Sequence, residues 1–160
     1  MSKANKATSP IQWAIKTFHQ LSVDQLFDVL QLRVAVFVVE QRCAYPELDD
    51  HDRHAETRHL SGRDDFGHLI AYARILPAGL TYPEVSLGRF VVKAQARRKG
   101  VGHQLLQTAL DEIQRCWPGR AIRLAAQEYL QGFYEHHGFT RVSDMYLEDD
   151  IPHVEMLKEP

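Results

Sequence analysis

The sequence predicts a mixed α/β (α+β) domain with a central sheet and helices on both of its faces. Two observations predict it. Short runs rich in apolar and β-branched residues recur along the chain, and one longer segment, residues 102–116, has the periodicity of an amphipathic helix. A group of strands is followed by strand, helix, strand, helix and strand, an order typical of a mixed sheet covered by helices.

The first elements are a strand and a helix. Residues 11–17 have strand character, and Ser22 with Gln25 three positions later forms the capping-box pattern that begins a helix. Leu26 and Val29 follow at helical spacing. We therefore expect this helix to pack on the core through one face.

Three strands are predicted in the middle of the chain. Residues 59–62 and 69–76 flank a short polar turn, which predicts a hairpin. Residues 84–92 form a further apolar strand, interrupted by Gly88. Because glycine inside a strand often marks a bulge or the close approach of a ligand, Gly88 is the predicted bulge site.

The last part of the chain adds two helices and further strands. The helix over residues 102–116 leads into a strand over residues 121–126 and a second helix over residues 128–137. Gly138 is placed to end that helix in the left-handed conformation. The remaining predicted strands are residues 139–145 and 154–157.

Length and composition fit one soluble globular domain of 160 residues, with 44% hydrophobic and 25% charged residues. We predict a flexible N-terminal tail over residues 1–10 and a single domain over residues 11–160. No signal peptide is recognisable, and the longest apolar run, residues 34–39, is far shorter than the roughly 20 residues that cross a bilayer, so no membrane partner is expected. Cys43 and Cys116 form no paired motif, which favours a reducing, cytoplasmic location.

Charge is unevenly distributed, although the formal net charge is only −2. No acidic residue lies between Glu84 and Asp111, an interval that contains Arg89, Lys93, Arg97, Arg98 and Lys99. Acidic side chains instead crowd residues 47–52 and 148–150. This separation suits an anionic cofactor and a cationic substrate, and the small net charge predicts no nucleic-acid partner.

A candidate phosphate site lies between the strand over residues 84–92 and the long helix, in the segment Arg97-Arg98-Lys99-Gly100-Val101-Gly102. Two glycines allow a tight turn and a close approach, and free N–H groups at a helix N-terminus attract phosphate. A P-loop is excluded because His103, and not lysine, follows Gly102. A dinucleotide fingerprint is excluded because Leu105 stands where a third glycine is needed.

The same loop resembles the Arg/Gln-x-x-Gly-x-Gly/Ala signature of the GNAT superfamily of N-acetyltransferases. Residues 130–139 are similar to the late helix of that family, in which a Phe-Tyr pair precedes Gly-Phe. Residues 32–41, 71–74 and 148–153 look like the ElaA-type branch of the superfamily. The resemblance implies a mixed, mostly antiparallel sheet that is splayed at a bulge.

The resemblance implies acetyl-CoA as the cofactor and CoA as a product. In the family, the strand before the loop pairs with the pantetheine arm, and the N–H groups of the loop hold the pyrophosphate. The cofactor-binding residues implied in this chain are Phe90, Val91, Val92, Arg97, Arg98, Lys99, Gly100, Val101, Gly102, His103, Gln127 and Tyr134.

The resemblance also implies direct acetyl transfer to a neutral amine in a ternary complex. Tyr134 takes the role of the acid that protonates the leaving thiolate, because tyrosine, with a pKa of about 10, is protonated at neutral pH. A base must deprotonate the acceptor. Glu84 lies at the outer end of the strand that often supplies this base, so Glu40 and His153 are the catalytic candidates, and Glu40 is also a candidate anchor for the substrate cation.

Three functional classes remain open. The first is an N-acetyltransferase for a small-molecule or peptide amine, the second is a non-catalytic acyl-CoA-binding sensor or partner-binding module, and the third is a nucleic-acid-binding domain that uses the basic residues 93–99. The histidines within residues 51–59 match no standard zinc spacing, so no metal site is expected. A monomer and a homodimer are both compatible with the sequence.

Overall fold

The computed structural model describes residues 10–160, so that all but Pro10 of the predicted tail lies outside the described residues. In this range eight strands form one sheet. Their bounds are β1 (Gln12–Lys16), β2 (Arg58–Arg63), β3 (Leu69–Leu76), β4 (Val85–Val92), β5 (Ile122–Gln127), β6 (Thr140–Arg141), β7 (Tyr146–Glu148) and β8 (Ile151–Lys158). The strand order is β1-β2-β3-β4-β5-β8-β6, and β7 also pairs with β8.

Three α-helices cover the sheet: α1 (Val23–Arg33), α2 (Val101–Cys116) and α3 (Gln131–His136). The sequence does not predict the π-helix Val34–Glu40, which continues α1 directly. Short 3₁₀ turns are Phe18–Gln20, Asp50–Arg53, Ala94–Ala96 and Glu128–Leu130. Across the described range, every helix is too short or too polar to span a membrane.

The helices begin and end largely where their sequence signals lie. Ser22 caps α1, with the Gln25 N–H donating to Ser22 Oγ at 3.1 Å and the Ser22 N–H donating to Gln25 Oε1 at 2.9 Å. Gly138, with φ of 91°, follows α3 as predicted. The predicted strand over residues 139–145 is wrong in length. Only Thr140–Arg141 pairs with β8 there, and the chain then turns before β7.

The sheet opens between β4 and β5. All other neighbouring strands pair antiparallel, whereas β4 and β5 are parallel and are joined only by Val85 with Ile122 and Ser86 with Arg123. Beyond Ser86 the two strands are no longer paired. The mostly antiparallel, splayed sheet implied by the family resemblance is therefore confirmed.

A bulge interrupts the pairing of β3 with β4. Tyr72 lies opposite Val91 and Arg74 lies opposite Gly88, so one residue on β3 faces two on β4. The residue with unusual backbone in this stretch is Arg89, with φ of 49°. The bulge thus begins one position after the predicted Gly88.

Two apolar layers pack on opposite faces of the sheet. On one face, α2 buries Leu105, Leu106 and Ile113 together with strand residues such as Ile75 and Leu124. On the other face, a cluster from α1 and the π-helix packs on the sheet and comprises Val29, Leu32, Val36, Leu69, Tyr72 and Val91. These layers hold β4 from both sides, which fixes the strand at the edge of the opening.

Candidate active site

A cleft of about 730 Å³ occupies the opening between β4 and β5. The π-helix lies on one side of it, and the glycine loop and α3 lie on another. A volume of this size is typical of ligand sites, which are usually a few hundred to about 1,000 Å³. Eleven of the twelve cofactor-binding candidates line the cleft: Phe90, Val91, Val92, Arg97, Arg98, Gly100, Val101, Gly102, His103, Gln127 and Tyr134. The twelfth, Lys99, lies exposed on the glycine loop.

The glycine loop presents backbone N–H groups to this cleft. Arg98 and Gly100 have φ of 63° and 77°, which turns the chain sharply before α2. The first helical hydrogen bond runs from the Gln104 N–H to Gly100 O at 3.2 Å. The N–H groups of Val101, Gly102 and His103 precede this bond and are therefore available to a phosphate.

Gly102 leaves room for a ligand beside the loop. A Cβ built on this residue meets only the Phe133 ring, at 3.7 Å, which is an ordinary contact distance. The φ of Gly102 is not in the left-handed region. The backbone therefore does not require glycine here, and the absence of a side chain leaves space in the cleft.

The Arg97 side chain is fixed by hydrogen bonds to other residues of the protein. Its Nε donates to Val92 O at 2.9 Å, and its Nη1 and Nη2 atoms donate to the Glu40 carboxylate at 2.9 and 2.7 Å. The hydrogen bond from Arg97 lowers the pKa of Glu40 and outweighs the opposing effect of burial. A carboxylate with a lowered pKa that is already bonded at both oxygens is a poor base. The geometry favours a positioning role for both side chains.

Tyr134 is buried at the end of the cleft, with 5% of its surface exposed. The Phe90 ring meets it edge-on with a centroid separation of 6.0 Å, and Phe133 and Phe139 pack at 5.1 and 5.9 Å. Burial raises the pKa of Tyr134 well above its ordinary value of 10. The phenol therefore remains protonated across the neutral and alkaline range, as an acid requires.

His153 reaches the cleft from β8, where it pairs with Gln127 of β5. Its Nδ1 lies 2.7 Å from Ile151 O. A carbonyl oxygen only accepts, so Nδ1 carries the proton, and in the neutral ring Nε2 keeps its lone pair. Nε2 lies 3.4 Å from a Glu148 carboxylate oxygen. This arrangement suits a base that is oriented by the backbone.

Three of the four carboxylates in the acidic segment over residues 47–52 do not offer their charges to a substrate, which corrects the interpretation of its composition: these are Glu47, Asp49 and Asp52. Arg33, which has no exposed surface, donates to Glu47 Oε1 and Asp52 Oδ1, each at 2.8 Å. Arg74 donates to Asp49 at 2.6 Å and to Asp52 at 2.9 Å. These carboxylates neutralise buried arginines instead.

Arg89 joins this network from the bulge in β4. Its Nη2 donates to Glu47 O at 2.9 Å, and its Nε lies 3.0 Å from Glu47 Oε1. Three arginines therefore meet three carboxylates, a neutral set, beside the cleft. Sequence reasoning missed Arg74 and Arg89 as site residues, although residues 71–74 belong to a segment that resembles the ElaA-type branch.

His59 is a second buried group that the sequence did not identify. Its Nδ1 lies 2.7 Å from the Tyr72 hydroxyl, and its Nε2 lies 2.9 Å from Asp52 O. Burial lowers the pKa of His59, so the ring is neutral at pH 7. This end of the histidine-containing segment over residues 51–59 is therefore packed on the sheet.

The second acidic segment does face the cleft. Glu148 and Asp149 line its outer edge and are exposed. Asp149 has φ of 48°, and its carbonyl oxygen lies 3.8 Å from Cys43 Sγ, across the cleft entrance. Because the arginines of the neighbouring network are already paired, these carboxylates leave negative charge at the edge of the site.

The chain is similar to known proteins over nearly its whole length. The model of the acetyltransferase (GNAT) domain matches residues 34–160. The protein ElaA of Escherichia coli is 42% identical over 150 residues, which are 93% of this chain and 97% of ElaA.

Solved structures agree with this match. An acyl-CoA N-acyltransferase from Pseudomonas aeruginosa superimposes with a TM-score of 0.88 at 42% identity, covering 93% of this chain and 99% of that one. The crystal structure of Escherichia coli ElaA gives a TM-score of 0.88 at 41% identity, covering 94% of this chain and 100% of ElaA.

Proposed function

The chain belongs to the GNAT family of acetyltransferases, and from this premise we propose that it transfers an acetyl group from acetyl-CoA to a primary amine. The transfer is direct, within a ternary complex. One observation carries the proposal: the opening between β4 and β5 brings the glycine loop, the free edge of β4 and the Tyr134 phenol into one cleft.

The donor is held mainly by backbone. The N–H groups of Val101, Gly102 and His103 bind the pyrophosphate, and the exposed side chains of Arg98 and Lys99 add positive charge. Phe90, Val91 and Val92 lie beyond the last residues of β4 that pair with β5, so their edge is open to an amide-bearing arm. Gln127 lies on the facing strand, where its amide bonds Gln41 at 3.3 Å.

The reaction exchanges one bond for another at the acetyl carbon. The amine nitrogen forms a bond to this carbon as its bond to sulphur breaks, and the departing thiolate takes a proton from Tyr134. The raised pKa of Tyr134 keeps this proton in place until charge develops on sulphur.

His153 is the base of the proposal, in preference to Glu40. An aliphatic ammonium has a pKa of about 10.4 and must lose a proton before it attacks. The Nε2 lone pair of His153 can accept it, with the Glu148 carboxylate 3.4 Å away to stabilise the proton, whereas both oxygens of Glu40 are bonded to Arg97. The exposed carboxylates of Glu148 and Asp149 attract the cation to the cleft, so Glu40 is not needed as its anchor.

A thiol-release assay with acetyl-CoA against a panel of amines tests this function. The panel contains diamines, amino acids and lysine peptides, and we expect release with at least one cationic amine. The Tyr134→Phe and His153→Gln variants should lose turnover while CoA still raises their melting temperatures. CoA binding without turnover on any amine would favour the acyl-CoA-binding sensor, and absence of CoA binding would refute both functions.

A further inference from the structure

Gly88 is one of three described glycines that neither the backbone nor the packing requires, and the other two are Gly102 and Gly132. Gly67, Gly79, Gly100, Gly119 and Gly138 have positive φ, and a Cβ on Gly62 would lie 2.5 Å from the Trp13 ring. The backbone or the packing requires glycine at those positions. Gly88 has no positive φ, and no atom lies within 4 Å of a Cβ built on it. Neither the backbone nor the packing requires glycine at position 88.

The space beside Gly88 belongs to the active-site cleft. Gly88 lies opposite Arg74 in the sheet and two residues beyond Ser86, the last residue of β4 that pairs with β5. Following β4 away from the glycine loop, Val92, Val91 and Phe90 come first and Gly88 follows. A group that extends along β4 from the loop toward the apex of the opening therefore passes over Gly88.

Apolar side chains line part of the apex. Leu76, Leu87 and Ala125 border the cleft there together with the polar residues Thr81, Tyr82 and Ser86, and the two leucines are each only 4% exposed. The guanidinium groups of Arg74 and Arg89 also border this region, but carboxylates of residues 47–52 neutralise them. Alkyl carbon can pack on the apolar side chains of this space.

We propose that the space over Gly88 accepts the alkyl part of an acyl chain longer than acetyl, and that Gly88 is the residue that determines the accepted chain length. The inference rests on the proposed function, since it takes the donor to lie along β4. It extends the donor class to short-chain acyl-CoA thioesters. The bond exchange at the acyl carbon is unchanged, because the additional methylenes take no part in it.

Calorimetric titration with CoA, acetyl-CoA and butyryl-CoA tests this inference without an acceptor amine. Wild-type protein should bind butyryl-CoA about tenfold more tightly than acetyl-CoA, because each buried methylene contributes up to about fourfold. In Gly88→Val this preference should disappear while the dissociation constant for CoA, which has no acyl group, stays within about twofold. Gly88→Ala should show an intermediate preference, which covers the case in which valine impairs folding.

Gly132→Ala is the matched control. Gly132 also has no positive φ and no atom within 4 Å of a Cβ built on it, but it does not line the cleft. The Gly132→Ala variant should keep the wild-type preference for butyryl-CoA over acetyl-CoA. Equal affinity of wild type for acetyl-CoA and butyryl-CoA, or a preference that survives in both Gly88 variants, would overturn the inference and leave the proposed function standing. Failure of wild type to bind CoA would instead refute the proposed function, and the inference with it.

Discussion

The carboxylate of Glu40 receives two hydrogen bonds from the guanidinium of Arg97, at 2.9 and 2.7 Å, across 57 positions of sequence. Glu40 ends the π-helix, and Arg97 begins the glycine loop. The same arginine also holds Val92 O at the end of β4. The pair therefore joins three parts of the cleft wall, and its role is better explained by placement of the loop than by proton transfer.

Glu40→Gln should raise the KM for acetyl-CoA about threefold to fivefold and leave kcat nearly unchanged. The pair is exposed, and such pairs contribute no more than about 1 kcal/mol. Steady-state kinetics with a saturating amine measures the two parameters separately. Glu56→Gln, an exposed carboxylate on another loop, is the control and should change neither. If turnover instead fell by about two orders of magnitude or more while KM stayed unchanged, Glu40 would be restored as the base.

Tyr134→Phe should slow turnover by about two orders of magnitude with little change in the KM for acetyl-CoA, because the ring is kept and only the acidic proton is lost. Burial raises the pKa of Tyr134, so its protonated form persists as pH rises. Wild-type turnover should therefore show no decline from this group up to about pH 10. A decline that begins near pH 8 in wild type and is absent in Tyr134→Phe would contradict the raised pKa.

The two loop glycines should respond to alanine in opposite ways. Gly100 has φ of 77°, so Gly100→Ala strains the backbone by about 1 kcal/mol and should lower the melting temperature by roughly 3 °C. Gly102→Ala lies in the first turn of α2 without this strain, so its melting temperature should be kept or slightly raised.

Addition of CoA tests the space beside Gly102. The Gly/Ala position of the family signature falls on Gly102, so Gly102→Ala should keep the rise in melting temperature caused by CoA, whereas the larger side chain of Gly102→Val enters the cleft beside the loop N–H groups and should largely abolish that rise. Thermal unfolding with and without saturating CoA provides the measurement. A full CoA-dependent rise in Gly102→Val would show that the diphosphate does not approach this residue.

The parts of the fold that the sequence predicted are those encoded by neighbouring residues. The Ser22 capping box, the apolar stripe of α2 and the glycines of the loop act over a few positions, and each lies where the pattern indicated. The resemblance to a family added the splayed sheet, which no local pattern encodes.

The parts that were missed depend on distant partners. Composition placed residues 47–52 on a substrate-facing acidic loop, but Arg33 contacts Glu47 and Asp52 across 14 and 19 positions, and Arg74 contacts Asp52 across 22. Charge patterning along the chain carries no information about such pairs. Only the tertiary fold distinguishes an acidic loop open to solvent from one that neutralises a buried cation.

Asp52 makes the folded state sensitive to acid. Burial alone would raise its pKa, but hydrogen bonds and charge from Arg33 and Arg74 outweigh burial and hold the pKa at about 2. In the unfolded chain an aspartate has a pKa of about 3.9. A carboxyl whose pKa is lowered by folding stabilises the protein above the unfolded value, and this stabilisation is lost as pH falls through the folded value.

The pH-dependent contribution of Asp52 to the free energy of unfolding should therefore be roughly 2–3 kcal/mol at pH 7 and about half of that at pH 3. Asp52→Asn leaves two buried arginines short of a partner and should be strongly destabilised at pH 7, and its deficit relative to wild type should shrink between pH 4 and pH 2. Urea unfolding at pH 7, 5, 4 and 3 measures this deficit in the free energy of unfolding.

Asp50→Asn, which changes an exposed residue on the same turn, is the control. Its free energy of unfolding should differ little from that of wild type, and the difference should not vary with pH. If the Asp52→Asn deficit were the same at pH 3 as at pH 7, the carboxylate would not be held charged by the arginines, because only a pKa lowered by folding makes the deficit depend on acid.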